Sequence, residues 1–141
     1  MAVVLTREEV TPRFLVRGDD GMWALFVPLP PEIAERERRM RLVAGFMAWK
    51  SARWFILSAE LIEPDVVYAV AVSRTDTVLA ARHVIQKPLS VGPIEWLPSS
   101  SVGDEITALL PRDRVQLDDE TERALIAAFG RNGEFTIERR H

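Results

Sequence analysis

The sequence predicts an α+β domain: a meandering antiparallel sheet of about five to six strands, one long helix packed on a face, and one or two short C-terminal helices. Three observations carry this. A hairpin pattern occupies the first quarter of the described pattern, around "RFLVRGDDGMWALFV". A helical period then sets in after a cluster of prolines. Beyond it, runs rich in β-branched and aromatic residues alternate with turn residues.

The elements follow in order. Phe14 to Arg17 and Met22 to Val27 read as strands joined by Gly18-Asp19-Asp20-Gly21, where glycine supplies positive φ and aspartate tolerates it. Pro28, Pro30 and Pro31 stop the second strand, because proline cannot donate to a ladder. Pro31 suits the first turn of a helix, with Glu32 near its positive end. Ile33, Met40, Val43, Ala44 and Met47 then share a face, which predicts a helix over 32–51. Trp54 to Leu57 and Val66 to Val72 read as a second hairpin around Pro64-Asp65, and "RTDT" as another tight turn. Thr77 to Gln86 fits a strand, with Leu79, Ala81, His83 and Ile85 on one side. Were it helical, residues 22–97 would read βαββαβ, a ferredoxin-like order; the Thr, Val and Ile content favours the strand. Ile94 to Leu97 reads as a short strand. "SSSVGDEITALLPRDR" predicts a short helix capped by the serines. A clearer helix is capped by Asp118 or Asp119, with Leu125, Ile126 and Phe129 buried and Gly130 as a left-handed stop. Phe135 to Ile137 closes as a strand.

The chain has 141 residues, is 48% hydrophobic and reads as one domain over 1–141, with no internal repeat or linker. A chain of this size can bury about two thirds of its unfolded surface, enough for a core without staples. It has no cysteine, which excludes disulfides, thiolate nucleophiles and cysteine-held metals. The net charge is −3, against a dedicated nucleic-acid binder. No apolar run resembles a signal peptide or a membrane span, so a soluble cytoplasmic protein is expected. Bacterial origin is an impression from the Arg- and Ala-rich usage.

No motif fixes a chemistry. His83 and His141 are the only histidines, and no metal-ligand spacing surrounds them, so neither a metal nor a cofactor is expected. Glu60, Glu63 and Asp65 in "ELIEPD" could divide acid and base roles with His83 nearby, but a turn wants such residues anyway. Ser90 in "PLSVG" lacks the first glycine of a nucleophile elbow. The run Arg36, Arg38, Arg39, Arg41 could grip phosphates or an acidic partner. Glu32, Glu35 and Glu37 interleave with it at ion-pair spacing, which reads as a solvated helix face.

The long helix carries a second apolar side, Leu42, Phe46 and Trp49, so it must be covered twice. Either the helix from Glu120 to Phe129 packs there, or a second chain does, with Arg38, Arg39 and Arg53 as a polar rim. The expectation is a non-enzymatic binding or regulatory accessory protein acting through protein–protein contacts, first as a homodimer through Leu42, Phe46 and Trp49. The rivals are a small enzyme or ligand-binding domain using Glu60, Glu63, Asp65 and His83, and nucleic-acid or acidic-partner binding through Arg36 to Arg41.

Overall fold

The protein's structure, a computed structural model, describes residues 12–59, 66–86, 89–113 and 116–140. Strands β1 (Arg13–Arg17) and β2 (Met22–Phe26) form the expected hairpin. Helix α1 spans Ile33–Trp49. Strands β3 (Trp54–Ala59), β4 (Val66–Ser73) and β5 (Thr77–Gln86) follow. Then come β6 (Leu89–Val91), β7 (Glu95–Leu97), a 3-10 turn at Ser99–Ser101, α2 (Asp104–Thr107), α3 (Asp119–Phe129) and β8 (Thr136–Arg140).

All strands join one open antiparallel sheet of eight, in the order β6-β5-β4-β3-β1-β2-β8, with β7 also on β5. The α+β class therefore stands, and the strand number exceeds the expected five to six. β7 corresponds to the strand read at Ile94 to Leu97, whereas the three-residue β6 went unread, being too short to display a period of two. Thr77 to Gln86 is a strand, paired with β4 from Val72↔Thr77 to Val66↔His83. That pairing removes the ferredoxin-like alternative. The predicted turn at Pro64-Asp65 lies outside the described residues.

Alternation sorts the sheet into two faces. Phe14, Val16, Leu25, Phe55, Leu57 and Val70 point to one face and are fully buried. α1 covers that face through Val43, Phe46 and Met47, all 0% exposed. Val102, Ile106, Leu109 and Leu110 join the same core. α3 leans on α1, with Leu125 close against Gly45 and the Phe129 ring 5.1 Å from that of Phe46.

Four local features match, differ from or refine the sequence reading. α1 ends in a Schellman motif: the Ala52 N–H donates to the Met47 carbonyl at 2.8 Å and the Ser51 N–H to that of Ala48 at 3.2 Å. Ser51 takes the left-handed position with φ 50°. Glycine usually fills it, so Ser51→Gly is expected to raise stability by about 0.5–1 kcal/mol, read from the urea midpoint. Asp118 caps α3 as expected, its carboxylate accepting from the Thr121 N–H at 2.7 Å. Gly130, in contrast, is extended at φ −78°, and the left-handed residue is Asn132 at φ 60°. The serines 99–101 form a 3-10 turn and give no side-chain cap; the α2 N-cap is Gly103. A single four-residue turn is too short to demand one.

Candidate functional site

Phe46 lies in the core of the chain, between Trp23 at 5.9 Å, Trp49 at 6.1 Å and Phe129 at 5.1 Å, all nearly edge-on. Such pairs add to simple area burial. Leu42 and Trp49 are half-buried beside it. The second side of α1 is thus covered in large part by α3. Phe46, read from its spacing as part of the second apolar side, meets both the sheet through Trp23 and α3 through Phe129.

Three arginines of the run, Arg36, Arg38 and Arg39, bond within the chain, and Arg41 is exposed. Arg36 Nε donates to the Pro30 carbonyl at 2.8 Å, and Arg39 Nη1 to that of Pro28 at 2.6 Å. These bonds tie α1 to the proline-rich segment that precedes it. Glu35 accepts from Arg38 Nη2 at 2.6 Å and from Arg39 Nε at 2.9 Å, and Arg38 also pairs with Glu134. Arg53 is exposed and pairs with Asp19 at 3.2 Å. Arg38 and Arg39 are thereby committed to partners within the chain: the Glu35 pairs follow the spacing read from the sequence, while the Pro28 carbonyl and Glu134, ninety-six positions from Arg38, could not be read there.

The Arg38 bond, then the Arg39 bond, lowers the Glu35 carboxyl from its ordinary 4.5 to about 2. A group lowered on folding stabilises above its unfolded value and loses that contribution as pH falls through its folded value. Glu35→Gln is therefore expected to be less stable than wild type at pH 7. The difference should shrink as pH falls from 4.5 towards 2, which urea unfolding at stepped pH will read.

Of the residues suggested for acid–base chemistry, Glu60, Glu63 and Asp65 lie outside the described residues. His83 is exposed at the far end of β5, opposite Val66. Among the described residues no cluster of His, Asp and Glu could hold a metal ion. No described helix is long and apolar enough to cross a membrane.

Two surfaces went unread in the sequence. The first is the end of the sheet where the β1–β2, α1–β3 and β4–β5 connections meet. Depressions of about 530, 620 and 560 Å³ adjoin there, sharing Ser73, Arg74 and Pro111, then Asp19 and Ser51. The last of them is walled by Trp23, Trp49, Lys50 and Arg139, with Asp19, Asp20 and Ser51. The Lys50 ammonium stands 3.9 Å over the Trp49 ring and 5.2 Å from the Trp23 centroid. The Arg139 guanidinium lies 5.7 Å from the Trp23 centroid. Burial first, then the Arg139 charge, lowers the Lys50 pKa, and Asp20 offsets part of this.

The second surface is the other face of the sheet. Register places Leu15, Phe26, Trp54, Ile56, Val78 and Trp96 on it. Ser58, Ala69, Ala71 and Ala80 lie between them as a shallow floor. Trp96 is 68% exposed and Val78 39%, and Ile94 beside them is 50%. Among the described residues no helix or strand is layered on this face. Among the described residues it also carries Arg13, Arg17, Arg82 and Arg140 against the one carboxylate of Glu138, which pairs with Arg140 at 3.0 Å. Sequence reading missed it because the outward residues of β3 and β4 are as apolar as the inward ones, so no polar alternation marked a solvent side.

The chain matches no family model, no curated protein and no solved structure, so its functional reading rests on these two surfaces.

Proposed function

We propose that the protein is a non-enzymatic binding protein acting through protein–protein contacts, and that the bare sheet face receives the partner. The observation that carries this is the exposed apolar group Val78 and Trp96, continuous with the alanine floor on one sheet face. Exposed apolar patches of this kind are typical of binding surfaces. Tryptophan and arginine are the residues enriched at interface centres, and this face presents Trp96 with Arg13, Arg17 and Arg82.

Charge selects the class of partner. The whole chain is net −3, yet among the described residues this face presents four arginines and one glutamate. Arg13 Nε is buried without an acceptor among the described residues. A desolvated cation gains most from an incoming carboxylate. A second copy presenting the same face would set arginine towards arginine, so the partner is a different protein offering acidic and apolar residues together.

A photo-crosslinker at position 96, used in the host cell, tests this. One product of defined mass is expected, lost when Arg13 and Arg17 become Glu and absent when the crosslinker sits at the exposed Arg131. A product carrying only this chain makes a homodimer the occupant and overturns the partner class. Crosslinking to residues 2–11 of the same chain shows the face is covered from within and removes the proposal. Trp96→Glu is expected to weaken partner binding at least tenfold with an unchanged unfolding midpoint. Light scattering on Trp49→Glu reads separately whether the half-buried helix stripe brings two copies together.

A further inference from the structure

We propose that the pocket between Lys50 and Arg139 binds a phosphate-type oxyanion, held by the Lys50 ammonium and the free edge of the Arg139 guanidinium. The site lies on the α1 side of the sheet and does not depend on the reading of the bare face.

Two cations line one cavity of about 560 Å³. Each is fixed from a distant part of the chain. Lys50 is the C-cap residue of α1, locked by the Schellman turn that follows it. Arg139 sits on the edge strand β8 opposite Trp23 and donates from Nη2 to the Asp20 carbonyl at 2.8 Å. Among the described residues, neither the Lys50 ammonium nor the remaining Arg139 nitrogens have a hydrogen-bond acceptor. The two indoles hold the cations by cation–π attraction, which positions positive charge without consuming its donors.

The carbonyls at the end of α1, the negative end of the helix, are mostly engaged by backbone donors. The Lys50 carbonyl accepts from the Asp19 N–H at 3.3 Å, and those of Phe46, Met47 and Ala48 are also taken. Of the two acids in the wall, Asp19 is paired with Arg53. Asp20 offsets part of the Lys50 charge. What remains is a pair of like charges in one pocket, Lys50 half-buried and Arg139 at its exposed edge. A multiply charged oxyanion relieves their repulsion and fills the unused donors at once, with a bidentate edge from arginine and a point charge from lysine. A carboxylate has fewer oxygens and less charge to meet both.

The test uses the full chain and its own indoles. Inorganic phosphate and pyrophosphate are titrated at constant ionic strength, with tryptophan emission as the signal. A saturable change is expected, weakened at least tenfold in Lys50→Gln and in Arg139→Gln and unaltered in Arg131→Gln. Should Lys50→Gln fail to fold, Arg139→Gln alone and the indole N–H resonances of the wild type decide. No saturation, an equal change with sodium chloride, or full retention in Arg139→Gln overturns the site. An identical curve with acetate overturns the phosphate assignment.

Discussion

Replacing Phe46 with alanine is expected to lower the unfolding free energy by about 3–5 kcal/mol, the range for emptying a buried phenylalanine site. The ring is 0% exposed and touches Trp23, Trp49 and Phe129, so three elements meet on it. None can collapse into the space easily: Trp23 is held in the sheet and Phe129 is pinned by its contact with Phe135 at 5.6 Å. Urea unfolding of the purified chain measures the loss. A side chain kept for a partner would leave the isolated chain's stability almost unchanged. A cost below about 1 kcal/mol, the typical loss for an average substitution, would contradict the core role of Phe46.

Gly18→Ala is expected to cost roughly 3 kcal/mol, the upper part of the usual range for overpacking. A Cβ at Gly18 would lie 2.4 Å from the Lys50 carbonyl oxygen and 2.9 Å from the Trp23 ring. The first neighbour is backbone at the end of α1, fixed by the Schellman bonds, and cannot step aside. The β1–β2 turn would have to lift from the helix end, breaking the Asp19 N–H bond to Lys50. Because the same contact shapes the Lys50 pocket, the variant should also change tryptophan emission. Chemical unfolding and fluorescence on one sample read both effects.

Local chemistry made much of the fold legible. The Gly-Asp-Asp-Gly turn, the three prolines before α1, the end of that helix near Ser51 and the Asp118 cap each act within a few residues. Their signals survive in any context. Short-range signals failed where one element was too brief or two readings were locally equal. Gly130 and Asn132 both tolerate left-handed backbone, and the structure uses Asn132. The serines 99–101 can cap a helix, yet the chain makes a 3-10 turn there.

The site is a different matter. Arg38 and Arg39 looked like a rim; pairing with Glu35 was already legible from spacing, but their bonds to Glu134 and the Pro28 carbonyl became visible only when the chain closed on itself. The apolar character of Leu15, Ile56 and Trp96 was plain in the sequence, but which sheet face they share was not.

The sequence by itself determined the α+β class, the single long helix, the hairpins and the absence of cysteine chemistry, because period, turn residues and composition are local properties. The tertiary structure alone decided what covers Phe46, which sheet face no described helix or strand overlies, and that Lys50 and Arg139 share a pocket. Those outcomes depend on strand order and on α3 docking against α1. They arise from contacts between residues far apart in the chain, whose pairing no local pattern encodes.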